Sequence, residues 1–397
     1  MNVFMVGKNW NTPRSGGLDR YFVDLASHLE RSGANPTALV HDAGPVTPSF
    51  VHGFGRPGDT VITRWLGARR MGRSLLQHSE VDLVNFHFAL YAFPHLDLIR
   101  DDMPVVCNFH GPWAEEGQVE QERSSPRQKV SAWLRYRLKR YIEQRVYRHS
   151  DRFIVLSSAF QQVLHREYRV PLERISVIPG GVDTDRFRPL CSRAEARREM
   201  GWPLDRPIIV AVRRLARRMG LENLIDAMSV VRQRCPDALL IIGGRGALEG
   251  ELRRRIQEKN LQRNVRLVGF IPEQTLPLAY RAADFSVVPT VALEGFGLII
   301  TESLACGTPC LGTPVGGIPE VLLPFDHHLV FESAEAAALA DRISAVLTGH
   351  VALPDEQACR GYAVDQFSWE RVTRRVLQVF NQTREGSASE ARALSGP

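Results

Sequence analysis

The sequence has few cysteines and no cysteine pair. Six cysteines are scattered over 397 residues without a CxxC motif, and only Cys306 and Cys310 stand near each other. Nothing close to these two completes a tetrahedral zinc site. The simplest interpretation is free thiols in a reducing compartment, so we expect a cytoplasmic protein and not a disulfide-stapled secreted one.

Long hydrophobic runs are missing as well. No apolar run approaches the roughly 20 residues that span a bilayer. Residues 1–7 are mostly apolar but lack a basic segment and a cleavage site, which predicts a first strand and not a signal peptide. A chain with 44% hydrophobic and 24% charged residues is neither disordered nor collagen-like nor fibrous. A length of 397 residues favours two domains.

Acidic residues are nearly absent from residues 123–148, where nine lysines and arginines accompany the single acid Glu143. This local excess is larger than the net charge of the chain, +6. Two interpretations stay open: a helix that binds an anionic membrane surface or an anionic acceptor, and a solvated basic face held by its apolar side. The apolar residues concerned include Trp133, Leu134, Leu138 and Tyr141. We expect no nucleic acid as a partner, because no recognition motif accompanies the charge.

Short apolar runs alternate with amphipathic helical stretches in two successive series. Strands are predicted at 3–6, 37–40, 81–86, 104–109 and 152–157, and again at 207–212, 238–242, 266–268 and 285–289. This alternation predicts an α/β fold with two parallel sheets, divided near residues 183–204. Ligands of such sheets bind beyond the carboxyl ends of the strands, so we expect a cleft between the two halves.

Two carboxylates stand eight residues apart, at Glu294 and Glu302, around a glycine-rich turn. Gly295 and Gly297 let the backbone approach a ligand, and the N-terminus of the following helix favours a diphosphate or a polar sugar. One carboxylate could accept hydrogen bonds from a hexose and the other from a ribose. The alternative is a helix cap with a solvated glutamate.

A cluster of arginines follows the strand predicted at 207–212. Their guanidinium forks suit a phosphate group, and the alternative is a solvated basic loop. A second tight turn, Gly-Gly-Ile-Pro-Glu at 316–320, is expected at the same edge of the sheet. The clustered residues are Arg213, Arg214, Arg217 and Arg218.

Residues 289–320, with Glu-x7-Glu and Gly-Gly-Ile-Pro-Glu, closely resemble the retaining glycosyltransferases of family four, which adopt the GT-B fold. Residues 178–187 resemble the segment by which that family enters its second domain, and Gly16-Gly17 resembles its first glycine-rich loop. The resemblance spans most of residues 1–380 and implies two Rossmann-like domains facing across a deep cleft. The implied parts are an acceptor-side domain at 1–187, a nucleotide-sugar domain at 188–364, a helix at 365–383 returning to the first domain, and a flexible tail at 384–397.

The resemblance also assigns roles to single residues. Glu302 would hold the ribose of a nucleotide sugar, and Glu294 would lie at the transferred sugar. His110 would stand near the donor sugar, while for His87 an acceptor-side or structural role is expected. Backbone groups would complete the donor site: those of Phe296, Gly297 and Leu298 at the sugar, of Gly16 and Gly17 at the diphosphate, and of Gly269 and Phe270 at the base.

One position departs from the family pattern. Arg214 matches the family's arginine on the donor diphosphate, but the lysine usual five residues later is Met219 here. The neighbouring Arg218 could supply the second positive charge. With the diphosphate neutralised by arginines and helix N-termini, no metal and no other cofactor is expected. The triplet Asp183-Thr184-Asp185 resembles the metal-binding DxD of the other large glycosyltransferase fold, but it lies inside the matching segment.

The sequence therefore predicts a retaining, metal-independent hexosyltransferase. It would move a sugar from a UDP- or GDP-sugar to an unidentified glycan, glycolipid or small molecule. Two alternatives stay open: an epimerase of GT-B fold, and a non-catalytic protein that binds sugar nucleotides or polyanions. We expect the protein in the cytoplasm, with peripheral contact to the inner face of the membrane through 123–148 as a further hypothesis.

Overall fold

The computed structural model describes residues 1–10, 16–44, 47–119 and 126–394, without the side chains of 117–119, 126–130 and 387–394. The chain forms two compact units, one of Met1–Gly181 with the segment from Trp369 onward, and one of Val182–Ser368. The ends of the second unit meet, because the Val182 amide donates to the Phe367 carbonyl at 2.7 Å. The boundaries therefore lie at 181/182 and 368/369, a few residues from the predicted 187/188 and 364/365.

The first unit is built on a parallel sheet in the order β3-β2-β1-β4-β5-β6-β7. Its central strands β4 and β5 are buried along their whole length, as expected for sheets covered on both faces. The strands are β1 Asn2–Val6, β2 Asn35–Val40, β3 Val51–Gly53, β4 Leu83–Phe86, β5 Val105–Phe109, β6 Arg152–Val155 and β7 Ile175–Val177.

Helices connect these strands in the way that parallel pairing requires. They are α1 Gly17–Arg31, α2 Val61–His78, α3 Ala89–Ala92, α4 Trp113–Val119, α5 Pro126–Arg148 and α6 Ser158–Tyr168, with short 3-10 helices at Phe93–His95 and Leu172–Arg174. Helix α1 shows why the pattern works: Tyr21, Phe22, Leu25 and Leu29 recur at helical spacing and are all buried.

The second unit is built on a parallel sheet in the order β10-β9-β8-β11-β12. Its elements are α7 Arg193–Met200, β8 Ile208–Val212, α8 Leu221–Arg234, β9 Leu239–Gly243, α9 Glu249–Glu258, β10 Val265–Gly269, α10 Leu276–Ala282, β11 Phe285–Val288, α11 Leu298–Ala305, β12 Cys310–Gly312, α12 Ile318–Leu322, α13 Ala336–Leu347 and α14 Glu356–Phe367, with 3-10 helices at Arg217–Met219 and His327–Leu329.

The last helix, α15, spans Trp369–Leu394 and belongs to the first unit. Trp369 anchors it: the indole contacts the rings of Tyr21 at 5.2 Å and His28 at 5.6 Å. A Cβ on Gly181 would stand 2.4 Å from this indole, so that position leaves room only for glycine. The helix runs beyond residue 383, where a flexible tail was expected, because residues 384–394 are rich in alanine, glutamate and arginine. Residues 395–397 lie outside the described ranges.

Helix α5 does not pack as the second interpretation of the basic segment predicts, while the first, binding of an anionic membrane surface or acceptor, stays open. Trp133, Leu134, Leu138 and Tyr141, expected to pack, are each more than half exposed. The helix is instead held by its C-terminal half, where Ile142, Val146 and Tyr147 are buried. Residues 123–125 of the basic segment lie outside the described ranges. In the part of the chain that the structure describes, no helix has the length and hydropathy that crossing a bilayer would require.

Candidate functional site

In the second unit, the strand order reverses between β8 and β11, which makes this position the switch point of the sheet. The chain proceeds from β8 outward to β10 on one side, and from β11 to β12 on the other. This is the point where open α/β sheets bind ligands. Arg213 directly follows β8 and Glu294 lies in the loop after β11, so both predicted motifs meet at this edge.

Glu294 is held by a close ion pair with Arg213. Nη2 of Arg213 donates to Oε2 of Glu294 at 2.5 Å and to Oγ1 of Thr290 at 2.6 Å, and that hydroxyl donates to Oε2 at 3.1 Å. The Arg213 and Glu294 side chains are 7% and 13% exposed. Burial alone would raise the pKa of Glu294, but the charges of Arg213 and Arg218 and the two hydrogen bonds bring it below its usual value. Glu294 is therefore a carboxylate near neutral pH.

The arginine that the sequence favoured is not the one in this pair. Arg214, the match to the family's diphosphate arginine, is exposed, and its role stays a prediction. Arg218 lies beside the glutamate loop, with Nη1 donating to the carbonyl oxygen of Leu293 at 2.8 Å. Met219 is buried, and the role of Arg218 as the second positive charge at the diphosphate stays a prediction.

Glycines allow the loops at this edge to approach closely. Gly316 has φ +58°, and a Cβ there would lie 1.9 Å from the carbonyl oxygen of Glu294. The next amide, of Gly317, donates to the same oxygen at 2.9 Å. The Gly-Gly-Ile-Pro-Glu turn therefore fixes the backbone that carries Glu294.

Glu302 lies on α11, which begins after the positive-φ residue Gly297. The carboxylate is almost fully buried, and its Oε2 accepts a hydrogen bond from the Tyr280 hydroxyl at 3.0 Å. Phe296 is also buried, with its ring 5.6 Å from that of Phe367. These contacts fix the turn 296–298 ahead of the helix.

A further feature follows β10. Gly269 takes φ +72°, and the next residue, Phe270, exposes 43% of its surface. The guanidinium of Arg245 lies 5.6 Å from the centre of the Phe270 ring. An exposed ring and a planar cation can both stack on a nucleobase.

In the first unit, the predicted glycines lie at the start of α1. Gly16 is the N-cap residue, and its amide donates to Oδ2 of the buried Asp19 at 3.1 Å. Oδ1 of Asp19 accepts from the amide of Asn9 at the same distance. Asp19 therefore joins the loop after β1 to the first turn of α1, beginning at Gly17. Residues 11–15 between them are outside the described ranges.

The two candidate histidines form a hydrogen-bonded pair. Nδ1 of His87 lies 3.1 Å from Nε2 of His110, and Nε2 of His87 lies 2.6 Å from Oδ1 of Asn85. The Asn85 amide nitrogen donates to the Val106 carbonyl and to Oδ1 of Asn108, which fixes its orientation. Burial lowers the pKa of His110 to about 4 and that of His87 well below its usual value.

These contacts assign the protons of both neutral rings. His87 must donate from Nε2 to Asn85 and accept at Nδ1, so His110 donates from Nε2. Nδ1 of His110 is then an acceptor. His87 therefore orients His110 through this hydrogen bond. The two asparagines that complete the hydrogen-bond network were not identified from the sequence, because each lies inside a predicted strand.

Glu143 secures the loop that follows His110. Although it belongs to α5, its Oε1 accepts from the Trp113 amide and its Oε2 from the Tyr168 hydroxyl, both at 2.8 Å. The carboxyl group is fully buried. Burial raises its pKa to about 7 despite the hydrogen bonds and the charge of Arg140.

Two groups of residues resemble metal ligands. Oδ1 of Asp183 accepts from the amides of Asp185 and Arg186, so this carboxylate closes a local turn. Among the described residues, Asp326, His327 and His328 also come close enough together to hold a metal ion.

The fold is that of the GT-B glycosyltransferases. Sucrose-phosphate synthase from Thermosynechococcus elongatus aligns over 96% of this chain and 98% of its own, with a TM-score of 0.76 and 22% identity. WaaG, a glycosyltransferase involved in lipopolysaccharide biosynthesis, aligns over 96% and 99% with a TM-score of 0.73 and 18% identity.

Sequence comparison defines the family. The model for Glycosyltransferase Family 4 matches residues 15–186, and that for Glycosyl transferases group 1 matches 192–364. A D-inositol 3-phosphate glycosyltransferase of Corynebacterium jeikeium is 31% identical over 94% of this chain and 93% of its own. A GDP-mannose-dependent phosphatidylinositol monomannoside mannosyltransferase of Mycolicibacterium smegmatis is 30% identical over 54% and 58%. The chain belongs to glycosyltransferase family 4, as the motifs predicted.

Proposed function

We propose that the protein is a retaining, metal-independent hexosyltransferase that uses a UDP- or GDP-sugar. The observation that carries this proposal is the buried pair of Arg213 and Glu294 at the switch point of the second sheet. A carboxylate kept ionised there can accept hydrogen bonds from sugar hydroxyls, and Glu302 can do so from ribose.

In the proposed reaction, the bond between the sugar and the diphosphate breaks, and a bond forms between the same sugar carbon and an acceptor oxygen. The acceptor proton leaves, and the nucleoside diphosphate departs with the bonding electrons. Arg214 and Arg218 would stabilise the charge that develops on the diphosphate. The acceptor would bind to the first unit, with His110 contributing near the donor sugar.

The test begins with thermal melting in the presence of UDP-, GDP- and ADP-sugars, since a bound donor should raise the melting temperature. Transfer is then measured with an acceptor panel, with and without EDTA, and product anomers are assigned by NMR. We expect retention and full activity in EDTA. Glu302→Ala should lower kcat/KM by more than about tenfold, or 1.4 kcal/mol, whereas Glu258→Ala, on the exposed side of α9, should not change it.

Four outcomes would contradict this proposal. Inverted anomers would exclude a retaining enzyme, and loss of activity in EDTA would exclude metal independence. Turnover of the donor without an acceptor would favour an epimerase. A donor that binds but stays intact across the whole panel would favour a non-catalytic binding protein.

A second proposal concerns α5. We propose that its outer face contacts an anionic bilayer, because Trp133 and Leu134 are exposed on the same helix as the exposed Arg137 and Arg145. Wild type should sediment with vesicles containing phosphatidylglycerol, and less so in high salt. The double variant Trp133→Ser/Leu134→Ser should bind at least tenfold more weakly. Leu323→Ser, at a similarly exposed leucine of the second unit, is the control. Equal sedimentation of wild type and double variant would refute the contact.

A further inference from the structure

Helix α10 carries a tyrosine whose hydroxyl reaches the glutamate that is proposed to hold the ribose. Every residue of α10 is buried, Tyr280 among them. Its hydroxyl donates to Oε2 of the buried Glu302 at 3.0 Å. Burial of a carboxylate is costly unless hydrogen bonds replace those to water. A hydroxyl that donates to a carboxylate oxygen makes one of the stronger hydrogen bonds found in proteins, so this contact holds both side chains.

Tyr280 is itself fixed at its backbone and at its ring. Thr308, three residues beyond α11, donates from Oγ1 to the carbonyl oxygen of Tyr280 at 2.9 Å. The ring of the buried Phe187 lies 6.3 Å from the tyrosine ring between centres, inclined by 56°. The tyrosine hydroxyl therefore stands at a defined place beside α11.

Arg360 of α14 joins the two elements that meet at this tyrosine. Its Nη1 donates to the carbonyl oxygen of Ala305, the last residue of α11, at 3.0 Å and to that of Phe187 at 2.5 Å. Its Nη2 donates to the carbonyl oxygen of Thr184 at 2.8 Å. A cation at the C-terminus of a helix is also favoured by the helix dipole. The guanidinium group thus fixes the end of α11 and the segment that carries Phe187.

Glu302 is consequently held at its helix and at its carboxylate. A glutamate side chain that can rotate loses this freedom whenever it binds a ligand, and that loss weakens binding. A site whose ligand is locked by a neighbouring hydrogen bond avoids this cost. The contact with Tyr280 is of this kind, because it fixes the plane of the carboxylate before any ligand arrives.

We infer that Tyr280 is a positioning residue for the ribose of the donor. Through its hydroxyl it orients Glu302, so that the carboxylate can accept hydrogen bonds from the ribose hydroxyls. The inference rests on the proposed function, because it names a residue that acts through the proposed ribose ligand. Tyr280 need not touch the donor for this effect.

The test compares nucleotides with and without ribose hydroxyls. UDP, GDP and their 2′,3′-dideoxy analogues are titrated into the full chain by calorimetry. We expect wild type to bind the ribose form of its preferred nucleotide at least about tenfold more tightly than the dideoxy form. Tyr280→Phe keeps the ring and removes only the hydroxyl. It should weaken binding of the ribose form about tenfold, or about 1.4 kcal/mol, and leave that of the dideoxy form within about twofold.

Tyr362→Phe is the matched control. The Tyr362 hydroxyl also donates inside the second unit, to the carbonyl oxygen of Val321 at 2.8 Å. Its loss should lower the melting temperature without changing the preference for ribose. Each variant is titrated below its own melting temperature, so that a loss of affinity is not a loss of fold.

A double-variant cycle shows whether Tyr280 acts through Glu302. Glu302→Ala should abolish the preference for ribose. In that background Tyr280→Phe should change the affinity for the ribose form by less than about twofold, because residues that act through one another are not additive. An equal loss from Tyr280→Phe with and without Glu302 would overturn the inference.

The same titrations separate failure of this inference from failure of the proposed function. A ribose preference that depends on Glu302 but not on Tyr280 would overturn the inference and leave the proposed function intact. Equal affinity of wild type for the ribose and dideoxy forms would refute the role of Glu302 and the inference with it. Absence of binding of both UDP and GDP would refute the proposed function itself.

Discussion

Replacing Arg213 by alanine should lower kcat/KM for sugar transfer at least about 100-fold, or roughly 3 kcal/mol. The variant leaves Glu294 buried without the cation that pairs with it. Burial then raises the pKa of Glu294, since the largest opposing contribution is lost. A larger fraction of Glu294 is then protonated, and a protonated carboxyl group cannot accept hydrogen bonds on both oxygens. Arg213→Lys keeps the charge but not the fork, so we expect an intermediate loss of about tenfold.

The pH profile separates this effect from simple loss of structure. In Arg213→Ala the residual activity should rise with pH as Glu294 ionises, whereas the wild type needs no such ionisation near neutral pH. Arg253→Ala, at an exposed arginine of α9, serves as the control for removing a positive charge. Wild-type kcat/KM in Arg213→Ala would show that the pair has no part in transfer.

Glu143→Gln should stabilise the protein at alkaline pH relative to wild type. The folded pKa of about 7 lies above the ordinary value of 4.5, so between these values the folded state holds more protons than the unfolded state. Stability from this group is complete below pH 4.5 and is lost as pH rises towards 7. The full difference is at most about 3 kcal/mol. Glutamine resembles the protonated acid and removes the dependence.

The measurement is the melting temperature of variant and wild type between pH 5 and pH 8.5. We expect the variant to gain several degrees relative to wild type across this interval. Glu30→Gln, at an exposed carboxylate at the end of α1, should show no such trend. A difference between Glu143→Gln and wild type that does not change with pH would contradict the assigned ionisation.

The sequence predicted the strands that form long apolar runs, because such runs are typical of sheets covered on both faces. It did not reveal the three-residue strands β3, β7 and β12, which are too short to show a period. Helix α15 extends past its predicted end at 383, because the small and polar residues that predict a flexible tail include alanine, glutamate and arginine, which favour a helix.

The candidate site was found only in part. The spacing of Glu294 and Glu302 predicted a ligand site. Four arginines follow β8, however, and the sequence did not show which of them pairs with Glu294. Which of them meets Glu294 depends on the pairing of β8 with β11, a long-range contact that local sequence does not specify. The hydrogen bonds from Asn85 through His87 to His110 likewise depend on a long-range contact, the pairing of β4 with β5. Local sequence does not specify this pairing either.

Helix α5 has a mechanical consequence, because it reaches both the surface and the interior of its unit. Trp133 and Leu134 are exposed in its N-terminal half. Glu143, in its C-terminal half, accepts a hydrogen bond from the amide of Trp113, which lies three residues after His110. A displacement of α5 along its axis would therefore also displace the carboxylate that accepts the Trp113 hydrogen bond.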